Sequence, residues 1–143
     1  MKAMTPAEWR AFLLSGTRTA KLATVRPDGR PHVAPVWFDL DRDELVFMTG
    51  RDTVKGKNIL QDPRVMLSVD DEQPPFAFVL IEGSAVASAL SPKELLPWST
   101  RIAARYMGAK QADAYGKRNA VEGELLIRVP LKRVIARKGV VDW

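Results

Sequence analysis

The chain has 143 residues, 46% of them hydrophobic and 27% charged, with 22 Lys+Arg against 17 Asp+Glu and a formal charge of +5. These values are those of one ordinary globular domain, expected over residues 1–143, with little room for a second. The absence of cysteine excludes disulfides, thiolate metal sites and cysteine nucleophiles. No apolar run approaches the roughly 20 residues that span a bilayer. The short apolar patch Ala11 to Leu14 is interrupted upstream by Glu8 and Arg10 and does not read as a signal peptide. A cytoplasmic location is the resulting expectation. The positive balance suits an anionic partner. Basic residues are spread along the chain without a block, so nucleic acid is not the expected one.

The first helix is signalled by Thr5 as N-cap, Pro6 at the first helical position and Glu8 completing a capping box. Trp9, Phe12 and Leu13 give it one apolar stripe, and Gly16 ends it. A strand over Arg18 to Arg26 follows, then a Pro27-Asp28-Gly29 turn. A second strand is predicted over about Arg30 to Leu40. Asp41-Arg42-Asp43 makes a turn, and Leu45 to Met48 a third strand. Thr53 to Gln61 reads as a short helix, capped by Thr53 or Asp52 and stopped at Asp62-Pro63. Two more strands, Val65 to Val69 and Phe76 to Ser88, flank the acidic loop Asp70 to Pro75. Ser91-Pro92-Lys93-Glu94 repeats the capping-box pattern and opens helix running in some form to about Arg118, with Pro97 kinking or restarting it. A last strand covers about Glu124 to Arg137, with a break at Pro130 as one reading. The order α-β-β-β-α-β-β-α-β is mainly β with peripheral helices, an α+β fold without a βαβ series. Six antiparallel strands with helices outside predict a closed or nearly closed barrel, since closure removes exposed edges.

Protein-borne catalysis finds few residues to use. His32 is the single histidine. It stands at a strand start and reads as a surface or hydrogen-bonding residue. No Gly-x-Ser-x-Gly elbow exists. Asp70-Asp71-Glu72 lacks the spacing of a calcium loop, so no metal site is expected. Neither a P-loop nor a dinucleotide fingerprint is present. One anion-binding segment remains, Thr49 to Asn58. It joins a strand to a helix start, whose free N–H groups favour an anion. Thr49 and Thr53 add hydroxyls, and Lys55 and Lys57 add charge. Cations are unfavourable at a helix N-terminus, and a bound anion would relieve that conflict. A second segment is Val33-Ala34-Pro35-Val36-Trp37-Phe38. Pro35 removes a ladder donor, which places this strand at an edge or a bulge. Trp37 and Phe38 point to opposite faces, so one can enter the core while the other borders a ligand or a partner.

Together these segments resemble a known family. The runs Ala20-Lys21-Leu22-Ala23-Thr24-Val25, Pro27-Asp28-Gly29-Arg30-Pro31 and Val33-Ala34-Pro35-Val36-Trp37-Phe38 look like the opening of the pyridoxamine 5'-phosphate oxidase-like split barrels. Thr49 through Lys55-Gly56-Lys57-Asn58-Ile59 to Asp62-Pro63-Arg64-Val65 looks like their cofactor-phosphate segment. Glu82-Gly83-Ser84-Ala85 resembles their strand that returns across the barrel. The likeness is greatest to the branch that uses the deazaflavin coenzyme F420. It implies a six-stranded antiparallel split β-barrel of the FMN-binding type. It implies a homodimer with the cofactor in a groove between subunits. It implies that Thr49, Thr53, Lys55 and Lys57 hold the cofactor phosphate, with Met48 beside them. Backbone groups around Val36 and Trp37 would meet the ring, and Phe76 and Phe78 of the partner subunit would close the site.

The Arg-rich C-terminal ending of true pyridoxamine-phosphate oxidases is missing, so vitamin B6 oxidation is not expected. The resemblance implies an oxidoreductase passing hydride between coenzyme F420 and an electron-poor small molecule. The cofactor would carry the chemistry, and no catalytic side chain is named. Lys21, Arg26 and Arg51 are further basic groups for the glutamate tail. The alternatives are an FMN-dependent enzyme on the same barrel and a non-catalytic module binding flavin or haem. Quinones, tetrapyrroles, nitroaromatics and unsaturated lactones all remain open as substrates.

Overall fold

A computed structural model describes residues 1–142. Ten strands and four α-helices run in the order β1 (Lys2–Ala3), α1 (Pro6–Leu14), β2 (Ala20–Val25), β3 (Pro31–Val36), β4 (Asp39–Asp41), β5 (Glu44–Gly50), α2 (Val54–Gln61), β6 (Arg64–Asp71), β7 (Ala77–Ser84), β8 (Val86–Ala89), α3 (Pro92–Met107), α4 (Ala112–Asn119), β9 (Glu124–Pro130) and β10 (Arg133–Lys138). All strand pairs are antiparallel. They form two sheets, a larger one ordered β1-β10-β7-β6-β2-β3 and a smaller one ordered β4-β5-β9-β8.

The six expected strands became ten for a physical reason. Three of them are long, and each crosses from one sheet to the other. The expected strand Arg30 to Leu40 leaves the larger sheet after Val36, turns at Trp37-Phe38 and enters the smaller sheet as β4. Phe76 to Ser88 does the same at Ala85, dividing into β7 and β8. Glu124 to Arg137 returns at Leu131-Lys132, dividing into β9 and β10, next to the break considered at Pro130. Strands that change sheets make the corners of such packings. The tenth strand, β1, is a two-residue piece paired with β10.

The inner faces of the two sheets enclose the main core. Leu22, Leu67, Val79 and Ile81 come from the larger sheet and Leu45, Phe47, Ile127 and Val129 from the smaller. Helix α1 adds Trp9 and Leu13. Its expected capping box is present, with Thr5 and Glu8 each bonding the other's backbone N–H. The outer face of the smaller sheet is covered by α3 and α4, which bury Val46 and Leu126 against Leu95 and Ala120. Helix α3 also carries the expected capping box, Ser91 with Glu94, and runs through Pro97 without restarting. It stops at Gly108, whose φ of 87° suits glycine. A short 3-10 turn then reverses the chain into α4.

Among the described residues no helix lies over the outer face of the larger sheet. Val33, Ala23 and Met66 stand in register across β3, β2 and β6. Val33 is 66% exposed and Ile135, on β10 of the same sheet, 51%. Among the described residues, edge strand β3 pairs only with β2, in line with the edge placement expected from Pro35.

Candidate functional site

A groove of about 390 Å³ opens where β3, β5, the start of α2, the start of β9 and the α3–α4 hairpin meet. Its β3 wall is Pro35, Val36 and Trp37. Phe38, the next residue, is fully buried in the core. The two aromatic side chains thus take opposite faces, as alternation requires. The indole of Trp37 lies parallel to the Tyr106 ring, with centroids 5.0 Å apart and planes within 5°.

The β5 wall is Met48, Thr49 and Gly50. Thr49 is buried, and its Oγ1 lies 3.1 Å from that of Thr53. Thr53 is the N-cap of α2. Its hydroxyl accepts from the Gly56 N–H at 3.1 Å and donates to the Gly50 carbonyl at 2.7 Å. The Thr53 proton is therefore committed, and Thr49 is the donor between the two hydroxyls. Both hydroxyls hold the turn together. The first N–H groups of a helix have no intrahelical partner. Among the described residues, those of Val54 and Lys55 meet no protein acceptor. Lys55 adds its ammonium to the same wall.

Gly56 makes this turn possible. A Cβ there would stand 2.1 Å from the Gly50 carbonyl oxygen, a backbone atom that cannot give way. Behind it, Asn58 donates to the Thr24 hydroxyl at 3.0 Å, and this buried polar pair ties α2 to β2.

The remaining wall comes from Ser99, Ile102, Arg118 and Asn119 of the α3–α4 hairpin and from Glu124. Gly116 lets the two helices touch, since a Cβ there would meet Thr100 Oγ1 at 2.3 Å. Ser99 donates to the Gly116 carbonyl at 2.8 Å. Glu124 pairs in register with Gly50 across β5 and β9. Burial raises its pKa above the ordinary carboxyl range, and the nearby Lys55 charge opposes that only in part.

The groove thus unites Val36, Trp37, Met48, Thr49, Thr53 and Lys55. It does not include Lys57. Residues two apart on a helix do not share a face. Lys57 lines a second hollow of about 310 Å³ with Arg26, Asp28, Arg30 and Asn58. Lys21 is paired with Asp70 at 3.4 Å, outside both. Phe76 and Phe78 also lie away from the groove of their own chain. Phe76 is half-buried, with a φ of 62°, and precedes β7. Phe78 alternates with the core residue Val79 and so points to the outer face of the larger sheet. His32 lies outside the groove, half-buried, with a buried Nδ1 that has no hydrogen-bond partner among the described residues. The described residues hold no cluster of three His, Asp or Glu side chains placed for a metal ion.

Five groove residues escaped the sequence reading: Ser99, Ile102, Arg118, Asn119 and Glu124. Leu95, Ser99, Ile102 and Ala103 form one buried stripe at helical spacing. A serine inside that stripe was the available signal. Nothing in the sequence pattern tells that the hairpin lies beside β5.

Comparison with known proteins assigns this fold to a family. A family model described as pyridoxamine 5'-phosphate oxidase matches residues 5–131, and the chain belongs to that family. It is 34% identical over 85 residues to the 5a,11a-dehydrotetracycline/5a,11a-dehydrooxytetracycline reductase of Streptomyces rimosus. That match covers 54% of this chain and 60% of the relative, so the chain spans under two thirds of the relative's length. Among solved structures, the conserved hypothetical protein Rv2991 from Mycobacterium tuberculosis superposes with a TM-score of 0.80 at 26% identity, covering 95% of this chain and 86% of that one. A structure described as an F420 reductase superposes with a TM-score of 0.68 at 27% identity, covering 87% and 94%.

A carboxyl whose pKa is raised in the folded state holds its proton more tightly there than in the unfolded chain. Its contribution is favourable at low pH and is lost as pH rises past the ordinary carboxyl range. Glu124→Gln is therefore expected to raise Tm at neutral pH by up to about 2 °C. The gain should vanish near pH 4, about where a free carboxyl protonates. A variant no more stable than the parent at neutral pH in thermal melts contradicts a half-buried carboxylate whose burial outweighs the Lys55 charge.

Proposed function

We propose that this protein is an F420-dependent reductase acting on an electron-poor small molecule. The observation that carries the reading is the turn from Gly50 to Gly56. Among the described residues, its helix start leaves the Val54 and Lys55 N–H groups without a protein acceptor, and Lys55 lines the groove while Val54 borders the neighbouring hollow. Helix N-termini with free N–H groups are anion sites, and the coenzyme carries a phosphate followed by a glutamate tail. Thr49 and Thr53 shape this site by fixing the turn. Another wall of the groove offers the unpaired edge of β3 around Val36, whose backbone groups suit the rim of a flat heterocycle. The family match, the similarity to a tetracycline reductase and the similarity to an F420 reductase support the same reading.

When bound, the reduced coenzyme supplies a hydride. This chain's residues bind, orient and exclude water. Lys55 and the α2 N-terminus hold the anionic end. Val36, Met48 and Ile102 keep the reacting region apolar. FMN also carries a phosphate and is the second reading, supported by the same family match.

The proposal includes a homodimer of single split-barrel domains. Its support is the uncovered outer face of the larger sheet, where Val33, Met66 and Ile135 are exposed. Phe78 lies on that face, away from the groove of its own chain. No helix among the described residues is long and apolar enough to cross a membrane.

Two measurements test this reading. A charge-assisted contact is worth roughly 1.5–3 kcal/mol, or about 10- to 150-fold in Kd. Lys55→Ala is expected to weaken F420 binding by at least about tenfold, with a reduced salt dependence, and Lys57→Ala by less than about threefold. Equal losses, or none, in a fluorescence titration contradict the assignment of the anion site. Light scattering after size exclusion should report a dimer at micromolar concentration, and a clean monomer removes the shared groove.

A further inference from the structure

We propose that Tyr106 is a positioning residue that backs Trp37 as a rigid aromatic platform, and that this platform selects planar conjugated acceptors over puckered ones. The inference rests on the reading of the groove as a reductase site and extends it to the substrate class.

Trp37 lines the groove and Tyr106 does not. Tyr106 therefore covers the rear face of the indole and leaves the other face to the groove. Their parallel geometry, at 5.0 Å between centroids, lies within the range of stacked aromatic pairs. Tyr106 is itself fixed. Its hydroxyl donates to the Arg18 carbonyl at 2.9 Å and accepts the Phe38 N–H at 3.2 Å. The Arg105 guanidinium lies over the Tyr106 ring at 5.1 Å and bonds the carbonyls of Phe38 and Leu13. Phe38 directly follows Trp37, so the backbone bearing the indole is clamped by the same group that covers its rear.

An indole with one face occupied cannot turn to meet an arbitrary ligand. It offers one flat, apolar surface already ordered before binding, which avoids the cost of immobilising a side chain on association. Pro35, Val36 and Ile102 line the same groove as apolar residues. A flat conjugated ring covers this surface completely, while a puckered ring touches it at a few atoms. The cofactor reading uses the backbone edge of β3, in the plane of a bound ring, which leaves the indole face for the acceptor.

The test is a quenching titration of the full chain with two probes, menadione (a planar two-ring quinone) and 2-cyclohexen-1-one (a puckered enone). F420 and FMN are titrated alongside. The parent is expected to bind menadione at least about tenfold more tightly than the enone. Tyr106→Leu should raise the menadione Kd about two- to tenfold, the range of one aromatic pair, and leave the enone unchanged. Tyr106→Phe, which keeps the stack, should restore most of the affinity. Near-UV circular dichroism should lose a tryptophan band in Tyr106→Leu and keep it in Tyr106→Phe. Trp37→Leu, at a half-exposed position, should abolish the planar preference even if Tyr106→Leu fails to fold. Equal affinity for the two probes in the parent, or menadione binding indifferent to Trp37→Leu, overturns the platform. If F420 or FMN binds in that case, the reductase reading survives alone. If neither binds while the planar preference holds, the platform stands and the reductase reading falls.

Discussion

A strand that leaves one sheet for another must break its ladder, and the backbone groups freed at the corner need new partners. The Trp37–Phe38 corner shows how this chain meets that demand. Phe38 N–H is taken by the Tyr106 hydroxyl and Phe38 C=O by Arg105. Leu40 C=O is taken by Arg101, which also pairs with Asp39 at 3.4 Å. All three side chains come from the second half of α3. One helix thus satisfies the corner, covers the smaller sheet and supplies one wall of the groove. The position of α3, and with it the shape of the site, follows from the need to pair those corner groups.

The groove has two chemically different ends, and each is set by a close approach. At one end Gly56 lies against Gly50, which brings the α2 N-terminus down onto β5 and aims free N–H groups outward. At the other, α3 and α4 touch at Gly116 and hold Ile102 opposite β3. Gly83 makes a related contact where β7 passes β9, with a Cβ position 3.0 Å from Val129. Charge follows the same division. Lys55, Arg118 and Glu124 line the groove, while Trp37, Val36 and Ile102 form an apolar surface. An anionic group and a flat apolar one can be held together by such a groove.

Much of this was legible in the chain itself. The capping boxes at Thr5 and Ser91 and the cap at Thr53 are local devices, and local chemistry fixes them. Pro35 announced an edge strand, and β3 is one. Six of the nine residues singled out for the cofactor line one groove. The misses share a cause. Sequence shows where a strand is apolar but not where it bends, so two corners went unseen, the third was signalled only by Pro130, and ten strands were read as six. Lys55 and Lys57 looked equivalent by proximity, yet a helix turns about 200° between them, and they serve different hollows. Gly108, at the end of an apolar helical stripe, was a stop signal that would have separated α3 from α4. Arg118 and Glu124 carry no local signature. Their place depends on how a helical hairpin packs on a sheet.

The central claim is that the turn from Gly50 to Gly56 holds the phosphate of a deazaflavin coenzyme. A parallel fluorescence titration of the purified chain with F420 and with FMN tests it most directly. The account predicts saturable binding of F420 at micromolar concentration or below, tighter than that of FMN and weakened by salt. Preference for FMN would move the protein to flavin chemistry on the same site. Binding of neither would contradict the claim.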